Sequence, residues 1–488
     1  MDKKKYIRVS DSFTIRNDSN GSFLIGIDSP IFSRGIGREI TAIPNFAGLI
    51  FEKIGKLPYN ESLNALGIET GIKPEVIDSF VSQLVDSNNG KQMRFEDGKT
   101  VFFPDGTLIS SDEKDTRSFF REEGFDWKKD FTPGRPTMPV SVNLMTTTLC
   151  STDCIYCYAD KKIGDNLKID EIERLLEELH RGGAVTVTLT GGDLFAFPEW
   201  KRLLSAVREY RYLPYISTKT TLDYDGLMFL KNSGYDEFQF SLDSNIPSKL
   251  SGLLRIDGST YIKKVSRMLT ECSDIGLDVK IRSVLTSINS DEDHILGFYD
   301  FLKDHPCIKA WDMTPAFFSE YKSENYKNLV PENENLKKIN NFANGEHAFP
   351  IHLNKIGNEG YMLQRFSDVD DFVCRNQICL ANYYGLSILA DGNCSLCEML
   401  YRNPEFLLGN VRSQTIREIW NSEKALHLYS PRQEDMNEDS PCRVCRVFEK
   451  CKVSSSKRVC YLNIHKTGGT MGDPDPSCPM APHTDLIL

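Results

Sequence analysis

The chain has 488 residues, 40% of them hydrophobic, and a formal net charge of -11. That length supports about three domains with real cores, and the acidic balance argues against a large phosphate-binding surface, so no nucleic-acid partner is expected. No apolar run approaches the roughly 20 residues that cross a bilayer, and no apolar segment follows the basic start MDKKK as a signal peptide requires, so a cytoplasmic protein with no membrane association is expected.

Residues 6 to 27 read as two alternating strands around the turn-forming NDSNG. Helical spacing follows in IPNFAGLIFEKIG and in KPEVIDSFVSQLVDSN, where Val76, Phe80, Val81 and Leu84 form the apolar stripe and Pro74 stands where a first turn tolerates it. A hairpin wing at QMRFEDGKTVFF closes a small winged-helix-like domain over 1–105, and 106–137 reads as a polar linker. From residue 138 strands and helices alternate: VSVNLMT, AVTVTLTGG, LPYISTK, EFQFSLD, DVKIRSVLT and IKAWDMT are the strands, and the first helix, IDEIERLLEELHRGG, takes Asp170 as its cap. The expected class is α/β, with a partial, TIM-like barrel of six βα units over 138–318. A polar bridging region, 319–372, leads to a cysteine-rich domain over 373–488.

Fourteen cysteines in a chain without an export signal point to metal rather than disulfides. None precedes Cys150, three lie within 150–157, and nine fall between Cys374 and Cys478, so two metal regions are implied; Cys272 and Cys307 stand alone. The triplet Cys150, Cys154 and Cys157 has the spacing C-x3-C-x2-C. It is one thiolate short of a tetrahedral zinc site and one too many for a disulfide. It directly follows the first strand of the βα series, and parallel βα folds bind ligands at the carboxyl ends of their strands.

The triplet, with the aromatic Tyr156 before its third cysteine, resembles the radical S-adenosylmethionine (radical SAM) superfamily. The resemblance implies that three thiolates hold three irons of a [4Fe-4S] cluster whose fourth iron is chelated by SAM. Gly191, Gly192 and Asp193 in TLTGGDLF are similar to the family's Gly-Gly-Glu motif, whose backbone and acid receive the methionyl ammonium; aspartate is one methylene shorter. By the same resemblance Ser241 and Arg255 hold the SAM carboxylate and Met313 is a candidate for the adenine wall, with a solvated helix-entry charge and barrel core as the plainer readings of Arg255 and Met313.

In the tail, Cys379, Gly392 and Cys397 fit C-x(9-15)-G-x4-C, and Cys442, Cys445 and Cys451 fit C-x2-C-x5-C. With Cys478 and the intervening LLGNV and IREIW, they resemble a SPASM domain, which carries two auxiliary [4Fe-4S] clusters. The implied ligands are Cys442, Cys445, Cys451 and Cys478 for the outer cluster and Cys379, Cys397 and Cys460 for the inner one, with Cys374 able to complete it. Cys460 comes later than the family spacing, as after an insertion, and Cys394 sits where an apolar strand residue is common.

The front domain resembles, by element order, the precursor-recognition winged helix of ribosomal-peptide maturases, in which a leader peptide adds a strand to the sheet edge. The parts together imply a radical SAM/SPASM maturase that cross-links a precursor peptide, through a thioether or a carbon-carbon bond, with a reductant such as flavodoxin or ferredoxin. An alternative is a sulfatase-type maturase oxidising one Cys or Ser, with Glu398, directly after Cys397, as base. A rival from another class is a zinc-binding scaffold, since CRVCRVFEKC alone could be part of a zinc ribbon.

Overall fold

The computed structural model describes residues 5–27, 40–95, 98–129, 134–159, 165–316, 326–354, 365–376, 379–400, 403–453 and 459–482. The chain forms two compact units, Met1–Val140 with Arg181–Gly183, and Ser141–His180 with Ala184–Leu488. The expected boundary at 318 lies outside the described residues.

The strands of the first unit are β1 (Tyr6–Val9), β2 (Phe13–Asp18), β3 (Gly21–Gly26), β4 (Ile40–Ile43), β5 (Lys91–Arg94), β6 (Thr100–Phe103), β7 (Leu108–Ser111) and β8 (Phe120–Arg121). β2, β3 and β4 are antiparallel neighbours, β8 joins β2 in parallel, and β5 with β6 forms the wing. The run read as a single first strand is two: Phe13 N donates to Ser10 O at 3.2 Å in a turn, and β1 leaves to pair with β7. The described residues of 106–137 likewise belong to the first unit and not to a linker. Leu108 is fully buried in the core, and the guanidinium of Arg117 donates to the carbonyls of Ser10 at 3.0 Å and Phe13 at 3.3 Å, so the polar side chains of this stretch satisfy backbone groups. Helices Asn45–Lys53, Tyr59–Thr70 and Pro74–Ser82 pack on the sheet around Phe51, Phe80 and Phe103, whose centroids lie 5.9 to 6.0 Å apart. The buried stripe of the third helix is Ile77, Phe80 and Val81; Val76 points to solvent.

The second unit contains β9 (Ser141–Met145), β10 (Thr186–Thr190), β11 (Leu213–Thr218), β12 (Glu237–Ser241), β13 (Asp278–Leu285), β14 (Ile308–Pro315), β15 (Ile351–Leu353), β16 (Gly385–Ile388), β17 (Asn393–Ser395) and β18 (Leu407–Asn410). They form one sheet in the order β15-β14-β13-β12-β11-β10-β9-β16-β17-β18. β9 to β14 are the six parallel strands read from the sequence; β15 adds a seventh, and β16 pairs in parallel with β9, so the cysteine-rich tail continues the sheet of the α/β partial barrel. Phe238, Phe240, Val279, Ile281, Trp311 and Met313 are fully buried on one face of this sheet, where Trp311 meets Phe298 of helix Glu292–Lys303 edge-on at 5.3 Å. The other face carries Gln239, Ser241, Lys280, Arg282 and Asp312, as the two-residue period of a strand requires. In helix Ile169–Arg181, Asp170 is not the cap but an exposed first-turn residue paired with Arg202 at 2.6 Å. Among the described residues no helix is long and apolar enough to cross a membrane.

Arg16 is the largest charged side chain buried in the first unit, at 0% exposure. Nη1 donates to Pro139 O at 3.2 Å and Gly183 O at 3.1 Å, Nη2 lies 3.3 Å from Asp18 Oδ2, and the guanidinium stacks 5.3 Å from the Phe120 ring. Breaking such a pair leaves the Asp18 charge buried without its partner, which costs about 3–5 kcal/mol. Arg16→Ala should therefore lower the stability of this unit by that amount, read as a shift of its urea midpoint; a shift under a quarter of that would show Arg16 to be peripheral.

Candidate active site

The cysteine loop leaves the carboxyl end of β9 and is held by main chain. Thr146 N donates to Thr190 O at 2.9 Å, Gly192 N to Thr147 O at 2.7 Å and Asp193 N to Leu149 O at 2.8 Å. The two glycines are required by this contact: a Cβ on Gly191 would stand 2.4 Å from Thr147 O, and one on Gly192 2.0 Å from Leu149 O. On its other side the loop is held by Asp153 N and Ile155 N, which donate at 3.0 Å to Leu254 O and Leu253 O at the end of helix Pro247–Leu254. The Thr152 hydroxyl lies 3.4 Å from Cys150 Sγ and 3.3 Å from Cys154 Sγ, linking two thiols of the triplet. Burial pushes the Cys154 thiol up, against the pull of Lys219 and Thr152.

Asp193 does not reach outward to a ligand ammonium. Its carboxylate, 4% exposed, accepts from Phe195 N at 3.0 Å, from the Thr218 hydroxyl at 2.8 and 2.9 Å, from Lys219 N at 2.7 Å and from Thr220 N at 3.1 Å. The expected acid contact is thus corrected: this side chain ties the end of β10 to the end of β11. Arg255, in the left-handed conformation at φ 55°, places Nη1 3.1 Å from Asp153 Oδ2 in the cysteine loop. Ser241 Oγ accepts from Gln239 Nε2 at 2.8 Å at the end of β12. Met313 is fully buried on the opposite face of the sheet, beside Trp311, so the adenine-wall reading is corrected to barrel core.

Tyr156 is buried and its hydroxyl donates to Asp243 Oδ2, which also receives Lys219 Nζ at 2.9 Å; Asp243 Oδ1 accepts from Val284 N at 2.8 Å. Burial and the Asp243 charge push the Tyr156 hydroxyl well up. Burial works to lower Lys219, but Asp243, Cys154 and Cys150 outweigh it and hold the ammonium above its ordinary value. Asp243 and Lys219 were not singled out from the sequence; the alternation in FQFSLD and the strand end in YISTK put them there.

In the tail, Cys442, Cys445, Cys451 and Cys478 line a single cavity with Phe372 and Val447. Cys397 is pushed up to well beyond an ordinary thiol by burial, with Glu398, Cys379 and Cys460 adding to it, and Cys460 in turn is raised to about 12 by burial and Cys379. These three thiols therefore form a second group. Cys374 is exposed on helix Val369–Arg375, whose Phe372 and Val373 turn inward to the apolar cluster around Cys445, Cys451 and Cys478. Cys394 is fully buried in β17, and Cys272 and Cys307 are buried thiols behind the sheet. No three His, Cys, Asp or Glu side chains among the described residues converge on a single metal ion.

Glu398 joins the two cysteine regions. Burial pushes its carboxyl up, opposed by Arg282 and by the Thr190 hydroxyl at the end of β10. Its charge is in turn the largest influence raising the hydroxyl of Tyr158, the neighbour of Cys157. Tyr158 and Arg282 were also missed: one hides in the triplet and the other on a strand whose inward face the composition does not mark.

A family model for the radical SAM superfamily matches residues 144–302, and one for the iron-sulfur cluster-binding domain SPASM matches residues 379–446. The chain carries a radical SAM domain and a SPASM domain. The Streptococcus suis SuiB structure bound to S-adenosylmethionine aligns with 97% of this chain and 100% of that one, at TM-score 0.60 and 13% identity. SuiB bound to precursor peptide SuiA aligns over the same shares at TM-score 0.61 and 15% identity. By sequence, the "Probable GTP 3',8-cyclase" of Pyrococcus abyssi (strain GE5 / Orsay) is 27% identical over 162 residues, 33% of this chain and 51% of that one. The chain thus spans about half the length of that curated relative. The two domains bring a [4Fe-4S] cluster with SAM and auxiliary iron-sulfur clusters to this radical SAM/SPASM enzyme. The residues present fit: a cavity ringed by four thiols suits a cube better than a single ion, and the open triplet suits a cube with one corner left for SAM.

Behind this site, His294 is 3% exposed and its Nε2 lies 3.3 Å from Asp243 O. Burial, aided by Lys249, lowers its pKa from 6.5 to about 4, against Asp243 and Asp291. Because the unfolded chain binds a proton there from about pH 6.5 downward while the folded one does not until about 4, stability is full above the first value and falls as pH drops toward the second. The loss should reach roughly 3 kcal/mol. His294→Gln should flatten the unfolding free energy measured between these limits, and an unchanged slope would refute the assignment.

Proposed function

We propose that this enzyme modifies a ribosomally made precursor peptide and installs an intramolecular cross-link, either a thioether or a carbon-carbon bond. The observation that carries this reading is the first unit: its strands β2 to β4, three helices and wing are the elements of a winged-helix recognition domain, and the fold likeness to SuiB, solved with its precursor peptide SuiA, extends over 97% of this chain. A leader strand added to an exposed edge of that sheet would gain affinity from main-chain pairing.

In this reading Cys150, Cys154 and Cys157 hold the SAM-binding cluster, Cys379, Cys397 and Cys460 the inner auxiliary cluster, and Cys442, Cys445, Cys451 and Cys478 the outer one. The first cluster and SAM, when bound, supply a radical strong enough to take hydrogen from an unactivated carbon. Gly191 and Gly192 bring their backbone to the SAM ammonium, and Ser241 and Arg255 meet its carboxylate. Glu398, with its raised pKa, receives the proton that the peptide loses when the new bond closes, and Arg282 keeps it oriented. A flavodoxin or ferredoxin supplies the electron. Glu398 also supports a second reading, oxidation of a single Cys or Ser to an aldehyde; a product that reacts with hydroxylamine favours this, and one whose backbone fragments fail to separate between two joined residues favours the cross-link.

Cys150→Ala/Cys154→Ala/Cys157→Ala should form no 5'-deoxyadenosine and lose about one cluster of iron; retained SAM cleavage would sink the assignment. Because β7 and β8 belong to the first unit, a chain beginning at Ser141 is the informative truncation. It should still cleave SAM slowly but fail on the full precursor. Leader peptide should bind the intact enzyme at about -8 kcal/mol, a micromolar Kd, with core peptide much weaker; equal binding of the two would remove the recognition role.

A further inference from the structure

In the first unit β8 is an edge of the four-stranded sheet, on the opposite side from β4. The chain reaches it through residues 114–119, which alternate with a period of two: Asp115 is buried and Arg117 and Phe119 half-buried, while Lys114, Thr116 and Ser118 are exposed. The inner side of this run is satisfied. Asp115 N donates to Gly55 O at 2.8 Å, and Lys56 Nζ donates to the carbonyls of Asp115, at 3.2 Å, and of Arg117. The outer side is bare. Among the described residues the amides and carbonyls of Thr116 and Ser118 have no hydrogen-bond partner.

Thr116 and Ser118 line an open cleft of about 670 Å³ together with Lys53, Lys56, Lys114 and Phe119. Phe119 is its apolar part, with Lys56 Nζ 5.3 Å and the Arg117 guanidinium 5.2 Å from the ring centre. The two carboxylates of the lining are both engaged. Asp115 accepts from Arg117 N at 2.9 Å, Nε at 3.0 Å and Nη2 at 2.7 Å, and Glu52 from Asn17 Nδ2 at 2.8 Å and Arg121 Nε at 2.9 Å. Lys114 has no ion pair among the described residues, and Lys53 has the exposed Glu69 at 2.6 Å, a contact worth little in water. A bare edge is a template for another extended chain, and lysines on it guard against unwanted pairing. A strand whose carboxylates fall beside those lysines passes the guard, gaining main-chain and charge-assisted bonds together. We propose that residues 114–119 form a strand-addition edge for an acidic, extended segment of the precursor peptide. Thr116 and Ser118 pair with its main chain, and Lys53 and Lys114 meet its carboxylates. The edge lies three strand spacings, about 14 Å, from β4, so one strand cannot occupy both. The inference rests on reading the first unit as a precursor-recognition domain.

The test is fluorescence anisotropy of the full enzyme with the labelled hexapeptide Glu-Thr-Glu-Thr-Glu-Thr. This probe carries no leader sequence, so it tests the edge alone, while the comparison of leader with core peptide tests the recognition reading. The probe should bind, and should weaken at least tenfold when its amides are N-methylated or when glutamine replaces its glutamates. Thr116→Pro/Ser118→Pro removes two amides that bond nothing among the described residues, so it should keep the urea midpoint of the unit and weaken the probe at least tenfold. Lys53→Gln/Lys114→Gln should weaken it as much, whereas Lys73→Gln/Lys91→Gln, an equal charge change elsewhere on the unit, should leave it unchanged. Absence of binding, equal binding of the N-methylated probe, or wild-type affinity in either cleft variant would overturn the proposal. So would tighter binding of an oligonucleotide of six thymidines, which would assign the cleft to phosphate. If the proline pair lowers the midpoint, the lysine pair and the N-methylated probe decide.

Discussion

The carboxyl end of the sheet is organised by a contact between two pieces of main chain. The cysteine loop and the Gly191-Gly192 turn approach until a single added carbon at Gly192 would fall 2.0 Å from Leu149 O. At that separation the hydrogen bonds from Gly192 and Asp193 to Thr147 and Leu149 define the loop without any side chain intervening. Asp193 then passes the constraint on to the next strand end through Thr218, Lys219 and Thr220, and Lys219 to Asp243 on the one after. The triplet of thiols is thus placed by the rigidity of four consecutive strand ends, β9 to β12, rather than by its own short loop.

Charge is distributed over this frame with a clear division. One face of the sheet is apolar and covered by helices; the other carries a polar series in which Lys280 pairs with Asp312 at 2.8 Å, and Asp312 with His352 at 2.9 Å. Each cysteine group has a lysine nearby: Lys219 at Cys150 and Cys154, Lys466 at Cys460 and Cys397, and Lys452 at Cys442 and Cys451. The thiols favour the charged form of each lysine and burial opposes it; at Lys219, which also has Asp243, the charged form gains, whereas burial prevails at Lys452 and Lys466.

What could be read from the sequence was whatever depends on local spacing. The six parallel strands, the helix begun by Pro74 and both cysteine regions are patterns of residue type at fixed intervals, and they appear where the pattern puts them. What escaped depends on pairing between distant segments. Residues 106–137 look like a connector because their side chains are polar, yet Arg117 uses that polarity on the carbonyl of Ser10, in the turn after β1, and on that of Phe13 in β2. Asp193 sits in a ligand motif, and its role became visible only when the amides of Lys219 and Thr220 came within reach. Met313 illustrates the period of two: one residue either way along β14 would have faced it toward Asp312 and the polar side.

The pairing of β16 with β9 reaches beyond catalysis to synthesis. Gly385 lies opposite Ser141, and Leu386 opposite Val142, so the strand that launches the cysteine triplet acquires its second neighbour only after most of the chain has been made. Until then β9 presents an open, apolar edge, the kind of surface that invites wrong pairing. Non-local strand pairing of this sort is slow, and chains growing at about 5–20 residues per second expose such an edge for many seconds. A ribosome that stalls or terminates before residue 385 therefore releases a barrel with a raw flank, whose fate is aggregation or proteolysis rather than partial activity.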